Sequence, residues 1–191
     1  MILPNDPAPA SKSALIVDPN LCRALEQALS LSSNELTPER LKTLRNLDAR
    51  DMGISNISGI EYCSNLEGLS LEDNNISDIF VLSSLQKLEI LSLNDNPVSD
   101  VSPIKKLKEL RLLFLGKTAV ADLSFVEALP KLQVIPVVYS KVTTLVDLYF
   151  CYVIPQDSKR LEEVYAFGNA LEPGSLAFAE ALRRLDVKVQ I

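Results

Sequence analysis

Residues 66–76 read Leu66-Glu67-Gly68-Leu69-Ser70-Leu71-Glu72-Asp73-Asn74-Asn75-Ile76, and they decide the fold of this 191-residue chain. Leu69 and Leu71 are one residue apart, so on an extended backbone both point to one side. Asn74 falls where the chain must turn away. A buried amide there can bond backbone groups of adjacent turns that would otherwise stay unpaired. The pattern returns every 22 residues, as Leu88, Leu91, Leu93, Asn96 and Val98, then as Leu110, Leu113, Leu115, Thr118 and Val120. Weaker copies flank these: Leu44, Leu47, Ala49, Met52 and Ile54 before, and Leu132, Ile135, Val137, Ser140 and Val142 after.

The second half of each unit keeps the same register. Ile57, Ile79, Val101, Leu123 and Leu145 form one column, Ile60, Leu82, Ile104, Val126 and Leu148 another, and Cys63, Leu85, Leu107, Leu129 and Cys151 a third. Across seven columns and five units every position is apolar, an agreement that chance would produce on the order of once in 10^11 trials. Asp78, Asp100 and Asp122 recur before the back segment, where a short acid can cap one turn of 3₁₀ helix. A unit this short leaves little room for an α-helix behind the strand. One unit cannot bury its own leucines, but stacked units share a core.

These residues resemble the leucine-rich repeat family. The 22-residue class is the one found in bacterial internalins and in a regulatory subunit of protein phosphatase 1. The resemblance spans about residues 15 to 153. It implies an α/β solenoid, a short right-handed arc with a parallel strand ladder on its concave face. Val17-Asp18-Pro19-Asn20-Leu21, followed by Arg23-Ala24-Leu25, resembles the helical cap of internalin-like proteins. Read from the residues, Asp18 is an N-cap with Pro19 at the first helical position, and Leu21, Leu25, Ala28 and Leu29 form one apolar face. A second short helix is expected from Thr37-Pro38. The division expected is a tail over 1–14, a cap over 15–43, five repeats over 44–153, and an inserted loop with a modified last repeat over 154–191.

That last unit departs from the period. After Cys151 the next copy begins at Leu161 and reads Leu161, Val164, Ala166, Asn169 and Leu171, so Ile154 to Arg160 are extra. A helical pattern follows from Gly174 to Leu182, similar to the longer repeats of ribonuclease-inhibitor-type proteins. Leu185, Val187, Val189 and Ile191 alternate as a closing strand.

Composition narrows the chemistry. The chain has 33 leucines, 47% hydrophobic residues, 6% aromatic residues and no histidine. No imidazole base, Ser-His or Cys-His pair, or His-containing zinc site can therefore form. Net charge is −6, the wrong sign for binding nucleic-acid phosphates. Three dispersed cysteines suit a reducing compartment, and Cys63 and Cys151 stand in a core column. No apolar run is long enough for a membrane span, and Met1 to Pro7 carry no secretory signature. A cytoplasmic monomer is expected, or an effector exported without a classical signal. Neighbouring acids such as Glu162-Glu163 read as solvated edges, and Gly116, Gly168 and Gly174 make no phosphate loop. No cofactor, metal site or catalytic residue is expected.

The strand positions facing outward are the informative ones. In the first three units they include Glu67, Glu72, Asp73, Glu89 and Asp95, opposed by Arg45 and Arg50. In the last three they include Leu112, Phe114, Val134, Val138, Tyr139, Tyr165 and Phe167. Apolar residues where solvent should be require a reason. One is a protein-binding hot spot beside an acidic flank that steers a basic partner. The other is self-coverage by Ile154 to Arg160 or by the C-terminal helix. The expected function is a non-enzymatic protein-binding module of adaptor, effector or inhibitor type. The alternatives are an effector with ubiquitin-ligase-like or other enzymatic activity, or a structural scaffold.

Overall fold

The computed structural model describes residues 15–153 and 161–191. The expected tail over 1–14 and inserted segment over 154–160 lie outside them. Seven three-residue strands form one parallel sheet in strict sequence order: β1 (Asn46–Asp48), β2 (Gly68–Ser70), β3 (Ile90–Ser92), β4 (Leu112–Phe114), β5 (Val134–Pro136), β6 (Glu163–Tyr165) and β7 (Lys188–Gln190). Every pairing keeps the repeat register, with Leu47, Leu69, Leu91 and Leu113 opposite one another. Strands of a parallel sheet need a crossover, and here each crossover is the back half of a repeat. Between β1 and β5 those backs are single 3₁₀ segments, Ile60–Tyr62, Phe80–Ser84, Ser102–Lys106 and Ser124–Ala128.

All seven apolar columns are buried in all five units. Asp78, Asp100 and Asp122 act as the spacing predicts. Each carboxylate accepts from the backbone N–H two residues on, at 2.8, 2.8 and 2.7 Å. The amide of Asn74 donates to the carbonyls of Ala49, Leu71 and Glu72, and its oxygen accepts from the N–H groups of Met52 and Ile54. Asn96 donates to Leu71, Leu93 and Asn94 and accepts from Ile76. Each asparagine thereby ties its own coil to the one before.

The N-terminal end is closed by α1 (Pro19–Leu29), with Asp18 as its N-cap, and by α2 (Pro38–Leu41), capped by Thr37. The buried face of α1 is Leu21, Ala24 and Leu25, whereas Ala28 is exposed in the last turn, contrary to the expected face. Asp18 does more than cap. One carboxylate oxygen takes the N–H groups of Asn20 and Leu21, and the other takes those of Ser55 and Asn56 plus the Ser55 hydroxyl. It locks the cap onto the first repeat.

The fifth repeat breaks the expectation of a single 3₁₀ turn. Its back is α3 (Val146–Val153), because 29 residues rather than 22 separate equivalent positions of β5 and β6. The last unit carries α4 (Gly174–Arg183), which packs against α3 on the convex side. The C-terminal helix therefore does not cover the concave sheet.

Two outcomes follow. Asn96→Ala orphans the Leu93 carbonyl and the Ile76 N–H and takes one of two donors from the Leu71 and Asn94 carbonyls, so chemical denaturation should show a loss of about 3 kcal/mol. For Asp18, burial pushes the carboxyl up, but four backbone N–H donors outweigh it and hold the group below its ordinary 3.8. A depressed folded value means stability present above 3.8 that disappears as pH falls through the folded value. Asp18→Asn should therefore be destabilised at neutral pH by about 2 kcal/mol. Its deficit relative to wild type should shrink in acid-unfolding titrations below that value.

Candidate functional site

Strand residues whose neighbours in sequence point into the core face outward, and the register stacks them into columns. One runs Asn46, Gly68, Ile90, Leu112, Val134, Glu163, Lys188; the next contains Asp48, Ser70, Ser92, Phe114, Pro136, Tyr165, Gln190. Ile90, Leu112 and Val134 therefore form an apolar stripe across three strands. Ile90 is 44% exposed and belongs to this surface although the sequence reading passed over it. Its place at the third position of its repeat was the available signal. Phe114 stands in the next column of the same strand as Leu112, and Val138 lies farther along against Gly116; both are half-buried like Leu112 and Val134.

The expected aromatics divide. Tyr139 is 58% exposed and meets Phe167 edge to face, with ring centroids 5.7 Å apart and planes at 88°. Tyr165 instead belongs to a polar cluster on the last strands. Its hydroxyl donates to Glu163 and accepts from Lys188 Nζ at 2.7 Å, and that ammonium also lies 5.1 Å from its ring centroid. The Tyr165 hydroxyl and then Lys188 hold the Glu163 carboxyl below the usual carboxylate range.

The acidic half is partly neutralised. Glu67 pairs with Arg45, Glu89 with Arg111 at 3.9 Å, and Asp95 with Lys117 at 2.8 Å. Arg111 and Lys117 belong to the fourth repeat, so a count over the first three misses them. Asp48 is held by Arg50 through two nitrogens, at 2.9 and 2.7 Å. Glu72 and Asp73 make no ion pair among the described residues. Both contribute to the field that raises Lys117 above its ordinary value, after Asp95.

Asp51, Asp73 and Asp95 also have a backbone role. They share a turn position with Lys117, Tyr139 and Gly168, and all six have positive φ, from 51° to 77°. Aspartate tolerates this left-handed region better than most residues, but a bulky ring there is an outlier. At Gly168, a Cβ would overlap the Tyr139 ring. Glycine is what allows that aromatic pair to close.

The three cysteines form no disulfide. Burial, and then the charge of Glu61, pushes the Cys63 thiol up to about 12, and burial followed by Glu26 raises Cys22. Among the described residues no group of three or more His, Cys, Asp or Glu side chains could hold a metal ion, and no helix is long and apolar enough to cross a membrane.

Comparison with known proteins agrees with this architecture. A family model described as leucine-rich repeats, two copies, matches residues 64–106. No curated protein matches the chain by sequence. Among solved structures, an internalin (InlF) of Listeria monocytogenes superposes with a TM-score of 0.76 at 24% identity, covering 96% of this chain and 58% of that one. Internalin C2 of the same species gives 0.66 at 22% identity, covering 99% and 93%. A leucine-rich-repeat protein of Leptospira interrogans gives 0.66 at 22%, covering 80% and 38%. The chain thus spans little over half of the first internalin and less of the Leptospira protein. The fold is the leucine-rich-repeat arc, of the kind seen in the internalins.

The Tyr139–Gly168 contact has a measurable consequence. Gly168→Ala forces a β-carbon into both an unfavourable φ and the Tyr139 ring, so equilibrium unfolding should show a loss of about 2 kcal/mol.

Proposed function

We propose that this leucine-rich-repeat protein is a non-enzymatic module that captures a protein partner on its concave face. One observation carries the reading: Ile90, Leu112 and Val134 form a continuous apolar stripe on the face that the C-terminal helix leaves open. Phe114 in the next column widens it, and the Tyr139–Phe167 pair adds two exposed rings in the last repeats. Solenoid curvature makes this kind of face an extended binding surface. Aromatic and aliphatic anchors are where interfaces concentrate their energy. The carboxylates of Glu72 and Asp73, with a net charge of −6, favour a basic partner. An adaptor, effector or inhibitor role fits equally, and the reading places the chain in a reducing compartment, which three cysteines without a disulfide suit.

Thiol catalysis of the ligase type finds little support, because a nucleophilic cysteine needs its thiolate and the Cys63 thiol is pushed up to about 12. Affinity capture with wild type, Leu112→Glu, Tyr139→Asn and a convex Lys105→Glu/Lys106→Glu control tests the proposal. Asparagine accepts the backbone conformation at position 139, so the fold should survive. A protein retained by wild type and control should be lost, by roughly tenfold or more, from Leu112→Glu and weakened in Tyr139→Asn. Equal retention by all four would sink the assignment of the concave face.

A further inference from the structure

The concave face holds a hollow of about 440 Å³ over β2 and β3, built by small residues. Gly68, Ser70 and Ser92 stand in the columns where β4 carries Leu112 and Phe114, so the surface drops between Asn46 and Asp48 on one side and Ile90 and Phe114 on the other. Asn46 already leans over Gly68, in the space a β-carbon would take. The volume suits one long side chain with some of its water.

Three observations concern what would enter. First, Ser92 is one of the residues around this hollow and only 9% exposed, and its hydroxyl is buried with no hydrogen-bond partner among the described residues. An unpaired buried hydroxyl is costly unless something reaches it, and rotation about χ1 can turn it to a guest. Second, the charges that line the hollow are Asp48, Arg50 and Glu72. Asp48 and Arg50 satisfy one another, which leaves Glu72 as the carboxylate without an ion pair. Third, Glu72 and Asp48 also line an adjoining hollow of about 530 Å³, where Asp51 and Asp73 add two more carboxylates against the same Arg50. The field across both hollows is negative.

We propose that this hollow takes a cationic side chain, lysine or arginine, from the protein that the concave face binds, so the assignment rests on the reading above. Ile90 and Phe114 receive the aliphatic stem. Glu72 supplies the counter-charge, with the Ser70 and Ser92 hydroxyls as further acceptors. An acidic guest meets the wrong field. A purely apolar guest desolvates Glu72 and Ser92 without pairing either. The apolar stripe beside the hollow then holds the residues flanking that cation.

The test uses the full chain, labelled with ¹⁵N, titrated with N-acetyl-lysine amide, N-acetyl-arginine amide, N-acetyl-norleucine amide and N-acetyl-glutamate amide. The cationic probes should shift the amides of Ser70, Glu72 and Ser92 and saturate in roughly the millimolar range, as expected of so small a ligand. Norleucine and glutamate amides should bind there at least about fivefold more weakly, and Glu72→Gln should weaken the cationic probes by about the same factor. Equal response to norleucine, no response to either cation, or indifference to Glu72→Gln overturns the assignment. A protein captured on the concave face without any cation response overturns this assignment alone. A cation response with no protein captured overturns the protein-binding reading, and with it the partner named here.

Discussion

A side-chain amide buried at the turn of the second and third coils, Asn74 and Asn96, is the interaction from which the rest of this structure proceeds. Stacking the leucine columns removes the carbonyls of Ala49, Leu71 and Leu93 from water, and Asn74 and Asn96 are what pair them. Each asparagine also accepts an N–H from the preceding coil, so one residue sets the distance and register between two turns. Apolar burial supplies the drive to stack, but it is non-directional. The amide makes the stack repeat at a fixed offset. Surface pairs such as Lys117–Asp95 and Arg45–Glu67 then meet because their repeats are already aligned, and being exposed they add little to stability themselves.

That regularity weakens toward the fourth and fifth units, and the concave surface changes with it. Thr118 and Ser140 replace the asparagine and each donates only a hydroxyl to the carbonyl three residues back, with Ser140 reaching Asn169 as well. Pro136 brings no N–H to β5, and the pairing of β4 with β5 reduces to Leu112 with Val134. The same stretch carries Tyr139 in a left-handed conformation and the apolar stripe. Asn169 restores the amide bond in the sixth unit, donating to Val137 and Ala166. Departures from a protein's own local rules tend to gather where function is sited, and here they gather on the open face.

Much of this was legible beforehand. Leucine columns, turn asparagines and the Asp18 cap are local features read at fixed offsets, and their physics needs only the neighbouring coil. The misread positions were those decided at longer range. The helical period allows either Ala24 or Ala28 toward the core, and the position of α1 against the first repeat chooses Ala24. A back segment ending at Cys151 reads as one more 3₁₀ turn until the longer spacing to β6 gives it room to become α3. Tyr165 reads as an exposed anchor because Lys188, on the next strand, is 23 residues away.

The period, the buried columns, the polar turn and hence a parallel ladder of coils are written in the order of residues, since these follow from which side chains cannot remain in water. How outward side chains meet is a property of the folded stack. Charges that look unopposed within one repeat find partners in the next, Ile90 joins Leu112 and Val134 into a stripe, and Gly68, Ser70 and Ser92 open a hollow beneath Glu72. The reason is geometric: inward positions all face one shared core, whereas an outward residue's environment is set by the register of strands on both sides.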